Sequence, residues 1–387
     1  MRLLALFTLL ATVLNGCESV TLIWMPFTNS ADPLFRIIEN DRAGYIDAQG
    51  RVVIPPTLRF MSEGGQAFHD GLLSLGISAG PFLDSKGQKV LDNHFYRVWN
   101  FSEGLAAAME TSESAWGYID RSGQFVIPPK FPFYPKGAVS DFSEGLAAVE
   151  VEGKLGYIDR TGAFVIPPQF AAGTSFENGL ARVVVNGPCS YMNYDSADPC
   201  MAMSPAVAPT TRNDAEKPPA PTRQCQWIFI DKTGRRAISS QFEGAMAFHE
   251  GLAAVRSGDQ WGFLNRQGAY EIYPAFEAVH SFSDGLALVS NGKDSGFIDR
   301  TGALKIRVDY YHAKPFSEGL TVIRTPEDRY IYVDTTGKQA IPETFLLASR
   351  FFHGLAHVKL TSTSKFGRSG TYAYIDKTGK RVYEYTR

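Results

Sequence analysis

One line of sequence recurs along the whole chain. Gly156 to Phe170 reads GYIDRTGAFVIPPQF, Gly117 to Phe131 reads GYIDRSGQFVIPPKF, and GYIDAQGRVVIPP runs from Gly44 to Pro56. Aligned on an Asp-x-x-Gly turn, nine copies stand at 47–50, 84–87, 120–123, 159–162, 231–234, 265–268 (Asn265 for Asp), 299–302, 334–337 and 376–379. Most steps are 34 to 39 residues, but the step from Asp159 to Asp231 is 72. A second motif, Phe-x-x-Gly-Leu, falls once between each neighbouring pair of turns: at 68–72, 101–105, 142–146, 176–180, 248–252, 282–286, 316–320 and 351–355. It falls once in the long step too. No unit is missing there, and one unit carries an insertion over 186–226. A unit of this length cannot bury its apolar face alone, so neighbours must supply the core.

Within one unit the pattern is that of a short meander. Leu146–Val151 alternates as a strand, Gly153-Lys154 turns the chain, and Leu155–Asp159 returns. Asp159-Arg-Thr-Gly162 closes a hairpin, with the Asp carboxylate predicted to accept from amides two and three residues on and Gly supplying a positive φ. The same role falls to Asp47 and Gly50, Asp120 and Gly123, and Asp299 and Gly302. Ala163–Ile166 is the third strand, which Pro167-Pro168 ends. About 34 residues suit three strands better than the four of a propeller blade. Leu34 sits ten residues before Gly44, as Leu146 does before Gly156, and the last unit ends near Tyr383. Complete units at both ends, with no strand left over to close a ring, predict an all-β, open, superhelical solenoid-like array of about nine three-stranded units. A β-propeller is the alternative.

These two motifs in fixed order resemble the WG repeat family, also called KWG-type repeats, whose Trp-Gly stands here at Trp116-Gly117 and Trp261-Gly262. The resemblance covers about residues 34 to 385. Individual copies depart from it: the Trp position holds Leu155, Ser295, Ala43 or Tyr330, and Ile228 follows Trp227. The family implies a binding or scaffold protein without a shared catalytic set.

The N-terminus reads as an export signal. Arg2 precedes the apolar run Leu3–Leu14, which is too short to span a bilayer. Leu14-Asn15-Gly16-Cys17 resembles a bacterial lipobox, which implies lipidation of Cys17 and cleavage before it. Residues 1–16 are then a signal peptide, 17–33 a tether, 34–185 and 227–387 the repeats. Glu18 stands where Asp often retains lipoproteins at the inner membrane, so the expected location is the outer membrane facing the periplasm, with a soluble secreted form as the alternative. A net charge of −2 argues against nucleic acid as partner.

The insertion 186–226 includes PAVAPTTRNDAEKPPAPTRQ, too poor in large apolar residues to offset its ordering entropy. It predicts a mobile loop leaving the hairpin between Val185 and Trp227. Cys189, Cys200 and Cys225 all lie on it or at its root, and an oxidising compartment allows one disulfide. Cys189–Cys225 would clasp the base, and Cys200 is the alternative partner.

The recurring acids invite an enzyme reading. Glu103, Glu144, Glu250 and Glu318 precede the second-motif Gly, with Asp70 and Asp284 matching them. A catalytic carboxylate pair need occur only once, whereas a turn requirement recurs, so these are read as structural. One carboxylate per turn is too few for calcium. His353 and His357 are four apart on a turn and a strand and share no face, so no metal is expected. No cofactor fingerprint appears. Trp116, Trp227 and Trp261 are expected to pack between units. The expectation is a non-catalytic scaffold for a protein or peptide partner in the cell envelope. A carbohydrate- or cell-wall-binding module would instead need exposed aromatics in a row, and an enzyme would need a cleft near the irregular stretch 80–100.

Overall fold

The structure, a computed structural model, describes residues 33–59, 68–75, 80–92, 94–132, 138–186, 225–362 and 369–387. Apart from one 3-10 turn, Tyr310–His312, all regular structure among these residues is β-strand. Each Asp-x-x-Gly turn marks one small antiparallel sheet, and we number the units one to nine in chain order. Unit six is the fullest example: strand a is Gly244–His249, b is Leu252–Ser257, c is Gln260–Asn265 and d is Tyr270–Phe276, hydrogen-bonded in that order. The second motif is the a–b turn. The Asp-x-x-Gly segment is the c–d turn.

Strand a corrects the expectation of three strands. It pairs with strand b in most units, but it can be as short as Ala278–Val279 or a single bridge such as Val139–Val149, which leaves no periodic signal in the sequence. In units five and eight strand d shrinks instead to a bridge, Ile230–Arg236 and Val333–Gln339.

Strands b and c are buried on both faces. Ala147, Ala148 and Val149 are all almost fully buried, as are Leu155, Tyr157 and Ile158. A sheet covered on both sides needs small or apolar residues at consecutive positions, which explains the Leu-Ala-Ala-Val runs. The cover is the neighbouring unit. A strand-c ring of one unit meets the second-motif Phe of the next at eight successive junctions, for example Tyr157–Phe176 at 4.9 Å, Phe263–Phe282 at 4.9 Å and Phe297–Phe316 at 4.7 Å between centroids. Each unit's c–d turn glycine also lies on an aliphatic side chain of the unit before, on strand d where that strand is formed. A methyl on Gly162 would stand 2.7 Å from the Ile127 side chain.

The two ends of the array meet. Gly50 of unit one lies on Val382 of unit nine, as the other turn glycines lie on their predecessors. Phe35, Ile37, Ile38 and Ile46 share a core with Leu355, Tyr372, Tyr374 and Tyr385. Tyr374 donates to the Arg36 carbonyl at 2.7 Å and Tyr383 to Glu39 at 3.0 Å. Contacts therefore run in a cycle through all nine units. Among the described residues, the sheets of units one and nine are each built from their own stretch of chain.

The glycine after the Trp position has a physical cause. In unit four Leu155 pairs with Phe170 and Tyr157 with Ile166, leaving three residues, Pro167-Pro168-Gln169, opposite Gly156 alone. The bulge carries strand d across strand c, and a Cβ on Gly156 would stand 2.6 Å from the Ile166 carbonyl oxygen and 2.7 Å from the Pro168 nitrogen. Unit nine has Ala373 at this position, and there strand d pairs through it without a bulge, Tyr372 with Tyr385 and Ala373 with Glu384.

Candidate functional site

The repeated polar residues form two linked sets at the a–b and c–d turns. In the c–d turn the Asp159 carboxylate accepts from the Thr161 amide at 2.8 Å, the Ala163 amide at 3.1 Å and the Thr161 hydroxyl at 2.6 Å. The third amide, that of Gly162, donates to the Asp159 main-chain oxygen at 2.9 Å instead. The expected bonds from amides two and three residues on are thus bonds from two and four, because the tight turn reserves the third for its own closure. The pattern repeats at Asp47, Asp120 and Asp299, with φ between 81° and 84° at Gly50, Gly123, Gly162 and Gly302. The Thr161 hydroxyl, then the turn amides, hold the Asp159 carboxyl below its usual range, and Ser122 does the same for Asp120.

The acids of the second motif reach the next unit. Glu144 accepts from the Gly179 amide at 2.9 Å, Glu103 from Gly145 at 2.9 Å, Asp70 from Gly104 at 2.7 Å, and Asp284 from Gly319 at 2.7 Å. Glu250 and Glu318 bond Gly285 and Gly354 in the same way, each at 3.0 Å. A basic residue in the next c–d turn completes the clamp. Lys232 pairs with Glu144 at 3.1 Å and Lys377 with Glu318 at 3.1 Å, while Arg160 and Arg300 donate to the carbonyls of Glu103 and Glu250. The motif serine adds a third bond, Ser143 to the Phe176 carbonyl at 2.6 Å. All six acids are therefore engaged with main-chain amides of the neighbour.

Glu144→Ala is expected to lower the unfolding free energy by about 1–2 kcal/mol, since a charge-assisted bond is lost and the Gly179 amide is left without it. Lys232→Met should cost under about 1 kcal/mol, because its side chain is 45% exposed and the pair is screened. Urea titration of both variants and the double mutant measures the coupling.

The junction of units nine and one lacks this clamp. Unit nine has His353 in place of the acid, and unit one has Pro33, which carries no amide hydrogen, and Ala48 in place of the base. A polar aromatic face replaces it. His357 Nε2 lies 2.8 Å from the Tyr385 hydroxyl, its ring stacks on Tyr372 at 5.3 Å and 4°, and the Lys359 ammonium sits 5.2 Å from the Tyr372 centroid. His357 Nδ1 is buried without a hydrogen-bond partner. Burial, and then the charges of Arg36 and Arg387, push the His357 pKa down to about 3.

An unfolded His titrates near 6.5, so between that value and about 3 the unfolded chain binds a proton the folded chain does not. Stability from this group is complete above about pH 6.5 and is lost as pH falls. Asp120 and Asp159, also depressed, lose theirs only at lower pH. Denaturant midpoints between pH 7 and 4.5 should fall for the wild type and fall less for His357→Phe.

Trp116 and Trp261 are buried and Trp227 is half-buried, as packing between units requires. The exposed aromatic rings among the described residues are Tyr96 and Trp99 in unit three, Phe164 in unit four, Tyr273 in unit six and Tyr311 in unit eight, spread over four units. The irregular stretch 80–100 forms the short strands Phe82–Asp84 and Lys89–Leu91 of unit two, followed by Arg97–Val98 of unit three. Strand b of unit five, Leu180–Asn186, pairs with strand c, Gln226–Asp231, so the insertion leaves and re-enters at one hairpin end. Cys225 is disulfide-bonded, and its partner lies outside the described residues. Cys17, Cys189, Cys200, residues 1–32 and residues 187–224 also lie outside them.

The fold and its turns define an all-β repeat protein whose recurrent polar residues join one unit to the next. The sequence profile of the WG-containing repeat matches residues 44–63, 82–111, 116–154, 156–187, 227–261, 261–293 and 296–325. The chain belongs to the WG-repeat family. No curated protein matches it. Among solved structures, a eukaryotic initiation factor is similar in fold, with a TM-score of 0.58 at 10% identity over 92% of this chain and 96% of that one. BamB from Moraxella catarrhalis aligns at a TM-score of 0.37 and 13% identity, covering 78% of this chain and 94% of that one. The WD40 β-propeller domain of Doa1 aligns at 0.30 and 10%, covering 69% and 92%.

Proposed function

We propose that this chain is a non-catalytic scaffold of the bacterial cell envelope, anchored by lipid on Cys17, that binds a protein or peptide partner along its array. The observation that carries the reading is the clamp: the six recurring acids, the residues most open to a catalytic reading, each hold a neighbour's glycine amide. A frame built this way leaves side chains on unit edges and loops to vary, and extended repeat surfaces offer area rather than an enclosed pocket. The lipobox-like Leu14-Asn15-Gly16-Cys17 and the following Glu18 support an outer-membrane location facing the periplasm.

In-cell crosslinking of the tagged protein with mass spectrometry, beside a Cys17→Ser control, tests this. Repeated capture of one envelope protein, lost in the control, is the expected result. Recovery of cell-wall material alone would replace it with the carbohydrate-binding reading.

A further inference from the structure

Of the seven histidines, His357 alone is buried, and it lies where the two ends of the array meet. It stands on strand b of unit nine, Leu355–Lys359, opposite Tyr374 of strand c, Thr371–Asp376. Its ring packs against those of Tyr372, Tyr374 and Tyr385, with centroids at 5.3, 4.9 and 6.0 Å. Unit one covers these tyrosines in turn with Phe35, Ile37, Ile38 and Ile46. Water therefore reaches the imidazole when the two units part.

We propose that the cycle of contacts opens at this seam in mild acid, with His357 as the proton-sensitive latch and the other junctions staying closed. Three observations carry this. First, the site is built for a neutral imidazole. Nε2 lies 2.8 Å from the Tyr385 hydroxyl, and Nδ1 has no hydrogen-bond partner. An imidazolium has two N–H donors, and the closed seam offers the second no acceptor.

Second, the charges that act on the ring are positive. Arg36 of unit one and Arg387, which follows strand d, both oppose a charge on His357. Lys359, two residues on along strand b, sits over the Tyr372 ring. Strand a, Leu347–Ala348, brings no titratable group. Of the carboxylates nearby in the chain, Glu39 is engaged by the Tyr383 hydroxyl at 3.0 Å, and Glu384 alternates to the other face of strand d, where Arg381 pairs with it at 2.8 Å.

Third, this seam lacks the braces of the others. Six junctions carry an acid on a glycine amide, and between units five and six Asn178 donates to the Phe248 carbonyl at 3.1 Å. Parting units nine and one breaks no sheet, since each keeps its own strands. In the open seam His357 titrates near 6.5, against about 3 in the closed one, so opening takes up a proton between those values. From pH 7.5 to 4.5 the opening equilibrium constant rises about 100-fold.

Thiol reactivity of the full chain tests the proposal. Ile37→Cys puts a thiol at the seam. Val183→Cys puts one at the same repeat position, three residues after the motif Leu, between units four and five, and both replaced side chains are fully buried. Labelling by a disulfide reagent that reacts down to pH 4, located by peptide mass spectrometry and divided by the rate for the urea-unfolded chain at the same pH, reads the opening. Ile37→Cys should gain about 100-fold between pH 7.5 and 4.5, and Val183→Cys about threefold at most. Phe35→Cys repeats the seam reading with a different packing change. His357→Gln, which is polar and takes up no proton, should abolish the gain at Ile37→Cys, and so should His357→Phe. Equal gains at the two junctions would mean global unfolding and overturn the proposal. A seam thiol whose rate does not change with pH, or a gain that survives both His357 variants, would overturn it as well.

Discussion

Phe176→Ala is expected to cost about 3–5 kcal/mol of unfolding free energy, the largest effect of any single substitution considered. Phe176 is fully buried and fills the space between units four and five, where its ring meets Tyr157 edge-on at 4.9 Å. Both units are fixed by their own hydrogen-bonded sheets, so the walls of the cavity cannot collapse freely. The cost then includes the void as well as the lost transfer energy. Tyr273→Ala is the contrasting case: its side chain is 75% exposed, and the change should stay within about 0.5 kcal/mol. Guanidinium titration of both variants, followed by tyrosine and tryptophan fluorescence, gives the comparison.

Gly156→Ala should be the second largest, at about 2–3 kcal/mol. One added methyl would meet the Ile166 carbonyl and the Pro168 nitrogen, both main-chain atoms held by the strand-d bulge, so neither can move aside as a side-chain tip would. The reverse change in unit nine, Ala373→Gly, removes a methyl where no bulge exists and should cost about 1 kcal/mol. If Gly156→Ala proved no worse than Ala373→Gly, the bulge would not be the reason for the glycine.

The periodic parts of this fold were legible in the sequence because they recur. The Asp-x-x-Gly turns, the second motif and strands b and c all follow from residues repeated in register, and the buried Trp116 and Trp261 stand where the repeat puts them. Strand a escaped because two residues, such as Ala278–Val279, carry no period. The recurrence of the acids points to a role in every unit, but their partners are not visible in the sequence, since Glu144 and Gly179 are 35 residues apart. A signal did exist, because that separation is one repeat. The face that unit nine turns to unit one was the least legible. His357, Tyr372 and Tyr383 replace the Ala148, Leu155 and Ile166 of unit four, and each substitution looks like drift until the two ends are brought together.

The cyclic array is the claim on which the rest depends, and the contact of Glu39 with Tyr383 tests it most directly. A photo-crosslinking amino acid at position 39 should form an intramolecular link to the peptide 381–386, at a yield that does not change with protein concentration. Links confined to sequence neighbours, or formed only between separate chains at high concentration, would contradict the closed arrangement and return the array to an open superhelix.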